Sequence, residues 1–149
     1  MKDILSKTID VAVQKFGAEY AEARAQRLFK TMLTLEEERV EAAKQGIENG
    51  AALRVLVNGA WGFASVGTLN AEILTNAVSD ACKMAKAASL RLKKPIKLAE
   101  AKTVEDKVSM APRKDPSKIP VEDKINTALT MSKIILGYDN RIKSCTIDY

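Results

Sequence analysis

The side chains able to do chemistry in this sequence are few, and their spacing limits them. None of the 149 residues is histidine. Zinc sites of the HExxH kind, and Ser-His-Asp or Cys-His catalysis, are therefore impossible within the chain. Cys82 and Cys145 stand far apart and form no CxxC pair. Two lone cysteines cannot make a four-cysteine zinc site, and they read as reduced thiols, although sequence leaves a disulfide between them open. Cys82 borders the apolar stripe of a helix with no base to activate it, which favours a buried inert thiol over a nucleophile.

Glu36-Glu37-Glu38 with Glu41 is a carboxylate run of the kind that hard cations take. Consecutive strand residues point to opposite faces, so the run cannot converge on one ion, and a solvated strand end is expected instead. No acidic pair is marked by an apolar pocket. The phosphate-loop patterns GxGxxG and GxxxxGK[ST] are absent. From Lys83 to Lys118 there are eleven Lys and Arg against four Asp and Glu, a local net of +7 that leaves the remainder at −2. A basic segment can meet nucleic acid or an acidic partner. No aromatic residue interleaves the charges, as single-strand stacking would need, and a solvated helix end and loop is the plainer reading.

These residues must be positioned by ordinary globular elements. Apolar content of 46% with 29% charged residues suits a water-soluble domain. No apolar run reaches the ~18 residues of a membrane span. The N-terminus leads straight into an amphipathic pattern without a signal-peptide core, so a cytoplasmic protein is expected.

The organising stretch is Leu53–Val66, two apolar runs around Asn58-Gly59. Asn-Gly suits a two-residue type I′ turn, in which both central residues need φ > 0. The resulting hairpin, Ala51–Val57 with Ala60–Val66, pairs Val57 with Ala60, Leu56 with Trp61, Val55 with Gly62 and Arg54 with Phe63. Cross-strand partners share a face. Leu53, Val55, Val57, Ala60, Gly62, Ala64 and Val66 then form an apolar face with a small second strand, over which helices can lie closely. Arg54, Leu56, Trp61, Phe63 and Ser65 form the other, a contact surface or a second core layer.

Arg54-Val55-Leu56-x-x-Gly59-x-Trp61-Gly62-Phe63-Ala64-Ser65, followed by an Ala-rich helix, resembles the N-terminal domain of the TldD/PmbA family. The order of elements fits over most of the chain. The resemblance implies a zinc metallopeptidase with an old label, modulator of DNA gyrase. The family signature His-Glu-x-x-x-His lies in the C-terminal half, so no catalytic or metal-binding residue carries over to this chain. Zinc, polarising the scissile carbonyl and activating water, is expected in a C-terminal domain that this chain lacks. What carries over is Arg54, Gly59, Trp61, Gly62 and Phe63, in a structural or interface role. The resemblance further implies a homodimer, or a heterodimer with a paralogous subunit, enclosing a chamber for peptides or unstructured segments. Nucleic acid and membrane are not expected partners. The alternatives are a non-enzymatic binding module touching nucleic acid or a gyrase-related partner through 83–118, and a freestanding regulatory partner of a separate catalytic subunit.

The remaining elements give an α+β fold: an antiparallel sheet with the hairpin at its centre and long helices packed on one face. Asp3–Phe16 reads as a helix with Leu5, Ile9, Ala12, Val13 and Phe16 on one face and Gly17 as its stop. Ala18–Val40 fits both strand alternation and a helical stripe. The resemblance decides for two antiparallel strands, near Tyr20–Phe29 and Thr31–Ala42, with a turn at Gly46–Gly50. Thr68 or Asn70 caps a helix running to Leu92, with the stripe Leu74, Ala77, Val78, Ala81, Ala85 and Ala88. Lys93–Pro120 is a connector holding all four prolines. A helix from Val121 to Leu136 follows, ended by Gly137, then a strand over Arg141–Tyr149 with Lys143, Cys145, Ile147 and Tyr149 on one side. A single N-terminal domain of a longer protein is expected.

Overall fold

The computed structural model describes residues 2–149 as an α+β fold. Its elements are α1 (Lys2–Gln14), β1 (Tyr20–Glu36), β2 (Arg39–Val57), β3 (Ala60–Val66), α2 (Ala71–Ser89), α3 (Val121–Tyr138) and β4 (Thr146–Asp148). A short 3-10 turn, Pro116–Lys118, precedes α3. The strands form one sheet in the order β3-β2-β1-β4, so β3 is an edge. Residues 2–27 with Glu48–Val104 make one compact unit, and Leu28–Ile47 with Glu105–Tyr149 make a second. The long strands β1 and β2 each contribute to both.

The first unit is built on the β2–β3 hairpin. Asn58 (φ 50) and Gly59 (φ 69) both adopt positive φ, as a type I′ turn requires. The register runs from Val57↔Ala60 through Leu56↔Trp61, Val55↔Gly62 and Arg54↔Phe63 to Ala51↔Val66, as expected. Leu53, Val55 and Val57 are buried against Leu74, Val78, Ala81, Cys82 and Ala85 of α2. Each large aliphatic side chain so buried contributes about 1.5–3 kcal/mol. Of the two candidate caps, Asn70 serves: it accepts from the backbone N–H groups of Glu72 (2.8 Å) and Ile73 (3.3 Å), worth about 1 kcal/mol. Ala21, Ala23 and Ala25 of β1 pack on the same core, which confirms strand over helix there. In α1, Leu5, Ala12 and Phe16 of the expected face pack on this core, and the face also takes in Thr8. Thr8 and Ala12 are buried with Ile4 and Val11 beside them, while Val13 is exposed. Thr8 can be buried because its hydroxyl donates to the Ile4 carbonyl at 2.8 Å. Gly17 (φ 73) ends the helix.

The second unit packs α3 against a shorter core. Leu33 and Leu35 of β1 are buried with Ala128, flanked by Val121, Ile125, Leu129 and Ile147. The last strand is shorter than expected. Only Thr146–Asp148 pair, with Thr34–Glu36, and Leu33 and Tyr149 exchange backbone hydrogen bonds at 3.0 Å each way. The buried Ser132 hydroxyl donates to the Glu37 carbonyl.

Two turn expectations are corrected. There is no break near Lys30, and Gly46–Gly50 lies inside β2. The reversal falls at Glu37-Glu38, with Glu37 at φ 55. A left-handed glutamate is uncommon, and without Gly or Asn the position carries no sequence signal. At Gly50 a Cβ would come 3.0 Å from the Val66 carbonyl oxygen, so the glycine marks a close backbone approach rather than a turn. At the other end of the chain, α3 continues through Gly137 to Tyr138.

Candidate functional site

The polar-aromatic side of the β2–β3 hairpin gathers the residues with the most specific chemistry. Two-residue alternation puts Arg54 and Leu56 of β2 beside Trp61 and Phe63 of β3, on the side opposite α2. The Arg54 guanidinium carbon stands 4.6 Å from the Trp61 ring centroid. Such a contact contributes about 0.5–1 kcal/mol where solvent reaches it and about 2 when desolvated. Trp61 meets Phe63 in a tilted arrangement at 6.4 Å. Leu56 is buried, Trp61 half-buried and Phe63 exposed at 57%.

Two further residues complete the group, and the hairpin pattern did not announce them. Tyr20 meets the Trp61 ring edge-on at 6.0 Å. Its hydroxyl donates to Glu22 Oε2 at 2.8 Å, and Glu22 Oε1 lies 2.7 Å from Arg54 Nε. The Arg54 Nε–H is not aimed along a hydrogen-bond direction, so that pair is held by charge. The Glu22 carboxyl is held below the ordinary glutamate range, first by the Tyr20 hydrogen bond and then by Arg54, against a desolvation that pushes the other way. Glu22 thus fixes the guanidinium over the indole, and the aromatic residues form a continuous platform. Beside it lies an open concavity of about 680 Å³, walled by Glu22, Arg24, Arg54, Phe63 and Ser65 with Ala52 and Ala64. The signal for Tyr20 and Glu22 was their alternation with Ala21 and Ala23. Placing them beside Arg54 required the register of β1 on β2, which the misplaced turn concealed.

The two glycines of the motif are held by packing. A Cβ on Gly59 would come 2.5 Å from Pro95 Cβ, and the Gly59 carbonyl accepts from the Ile96 N–H at 2.9 Å. Gly62 lies under Ala81 of α2 with no room for a side chain.

The other residues singled out by type stay apart from this platform. Cys82 and Cys145 are both buried free thiols, and burial pushes the Cys82 thiol up. Glu36, Glu37 and Glu41 rim a shallow concavity with Arg39 and Cys145. Among the described residues no three His, Cys, Asp or Glu side chains are placed to hold a metal ion. With no histidine and two separate buried cysteines, the donors here do not fit zinc. The basic segment is exposed and irregular from Leu90 to Lys114. Among the described residues no helix is long and apolar enough to cross a membrane.

This chain is similar to several known proteins. Residues 21–85 match the family described as PmbA/TldA metallopeptidase domain 1. A metalloprotease of Methanocaldococcus jannaschii is 28% identical over 131 residues, 88% of this chain and 29% of the relative. Among solved structures, a candidate modulator of DNA gyrase from Bacteroides thetaiotaomicron superposes with a TM-score of 0.74 at 22% identity, over 97% of this chain and 33% of the other. TldE from Thermococcus kodakarensis gives 0.69 at 17% identity, over 96% of this chain and 32% of the other. These likenesses establish the fold, and the chain spans about a third of the length of the proteins it matches.

Proposed function

We propose, from the premise that residues 21–85 of this chain form a first domain of the PmbA/TldD metallopeptidase family, that the chain is the non-catalytic N-terminal domain of a zinc metallopeptidase. The whole protein cleaves peptides or unstructured protein segments. Zinc binding and hydrolysis belong to a C-terminal domain outside this chain, because none of the residues here suits the metal. This domain helps to wall the substrate chamber and to assemble a dimer of identical or paralogous subunits in the cytoplasm. Arg54, Trp61 and Phe63 carry the interface, while Gly59 and Gly62 hold the hairpin that presents them.

The likeness to the Methanocaldococcus metalloprotease is the observation that carries this reading, because it extends over nearly the whole chain yet a minor share of the relative. The exposed Phe63 beside a half-buried Trp61 supports the interface role. Interface cores favour aromatic residues and Arg in this kind of cluster. The test compares the 149-residue chain with a protein joining it to a family metallopeptidase domain. Chelator-sensitive peptide cleavage is expected only from the joined protein, and cleavage by the 149-residue chain alone would refute the reading.

A second reading is a binding module that contacts nucleic acid through the basic 83–118 segment. The exposure of Leu90–Lys114 favours it. Phosphate contacts would make its affinity fall steeply between low and moderate salt, and no salt-sensitive duplex binding is expected under the metallopeptidase reading.

A further inference from the structure

In the second unit, an isolated charge sits where charge is costly. Lys124 lies in the first turn of α3 and is 7% exposed. Its Nζ donates to Thr31 Oγ1 at 3.0 Å and stands 5.4 Å from the Tyr149 ring centroid. An ammonium group has three donors, so two remain. Among the described residues no carboxylate lies within ion-pair distance of it. A buried cation without a counter-ion is unfavourable, and the positive end of the α3 dipole makes it more so.

The ammonium group faces a cavity of about 400 Å³ whose walls are Phe29, Thr31, Pro116, Ser117 and Tyr149, with Lys30 and Asp115 also on its lining. Asp115 does not serve Lys124. Its Oδ1 accepts from the Ser117 N–H at 2.9 Å and the Ser117 hydroxyl at 2.7 Å, capping the 3-10 turn. We infer that this cavity is a binding site for a monocarboxylate on an apolar body, with Lys124 as its counter-charge. The two spare ammonium donors match the two carboxylate oxygens, and Phe29, Pro116 and Tyr149 offer the apolar body a wall. Asp115 on the lining disfavours a dianion such as phosphate. The carboxylate can belong to a peptide C-terminus or to an acidic side chain. The site does not depend on the metallopeptidase reading.

The test is titration of the intact chain, followed by amide NMR and calorimetry, with N-acetylphenylalanine, its amide, N-acetylglutamate α-amide and inorganic phosphate. N-acetylphenylalanine should bind saturably and shift the resonances of Thr31, Lys124 and Tyr149. Its uncharged amide should bind about thirtyfold more weakly or worse, the usual effect of losing one partner of a buried charge pair. Lys124→Met should lose acid binding to the same extent while folding at least as well, because it removes an uncompensated charge. Tighter binding of the phenylalanine acid assigns a chain terminus, and tighter binding of the glutamate derivative assigns a side chain. Either supports the site. Equal binding of acid and amide, stronger binding of phosphate, or an unaltered Lys124→Met would overturn it. The acid–amide comparison on the unaltered protein decides the matter even if the variant does not fold.

Discussion

Gly62 of β3 lies directly beneath Ala81 of α2, so close that a Cβ built on the glycine would overlap the Ala81 carbonyl oxygen and come 3.1 Å from Ala85 Cβ. The hairpin's second strand is small on this side because the helix backbone rests on it. Backbone atoms on both sides leave little room to yield. Gly62→Ala should therefore lower stability by about 1–3 kcal/mol, the ordinary cost of overpacking. Gly46→Ala is the control, since a Cβ at that position meets nothing within 4 Å, and it should be neutral or stabilising by up to about 1 kcal/mol. Urea unfolding of the two variants checks both.

The Tyr20–Glu22–Arg54 linkage gives stability a pH dependence of known sign. The Glu22 carboxyl is held below its ordinary value of 4.5, chiefly by the Tyr20 hydroxyl. Its contribution is complete above that ordinary value and is lost as pH falls through the lower folded one. The Tyr20 hydroxyl is raised above 10.0, chiefly by the hydrogen bond to Glu22. Its contribution is complete below pH 10.0 and is lost as pH rises through the higher folded value. The side chains of Arg54 and Glu22 are 41% and 43% exposed, so the pair contributes only a few tenths of a kcal/mol. Glu22→Gln should flatten both limbs in a melting-temperature series against pH.

Much of this fold is legible in the residues. Asn58-Gly59 specifies both the turn and the register of β2 on β3, because two adjacent positive-φ residues leave one hairpin geometry available. Asn70 marks the start of α2 by its side-chain chemistry. Where legibility fails, the cause is local. The Glu37-Glu38 turn is carried by a glutamate in a conformation its sequence does not advertise. Gly46 and Gly50 look like turn residues but lie in a strand, one in open space and one under the Val66 carbonyl. Because the β1–β2 reversal was hidden, so was the meeting of Tyr20 and Glu22 with Arg54 and Trp61. The burial of Thr8 beside the expected face of α1 is equally hidden, since it depends on a hydroxyl turning back to its own helix.

Cys82 should behave as an inert thiol. It is buried within the α2 core, and desolvation raises it above its ordinary pKa of 9.0 despite the nearby Lys86 charge. Less thiolate and no access both slow attack on a disulfide reagent. In a Cys145→Ser background, Ellman's reagent at about pH 8 should leave Cys82 largely unreacted until denaturant is added. Rapid labelling of the folded protein would contradict the burial argument.

The central claim is that the hairpin's aromatic side is an assembly surface and not this domain's own core, and Phe63 tests it most directly. Its ring is 57% exposed, so Phe63→Ala should change the melting of the 149-residue domain little. In the protein joining this domain to a PmbA/TldD-type metallopeptidase domain, sedimentation equilibrium should show the proposed dimer weakened by about 2 kcal/mol or more, the scale of an interface hot spot. Unchanged dimerisation, or a loss of about 3–5 kcal/mol in the isolated domain as for an emptied core aromatic, would contradict the account.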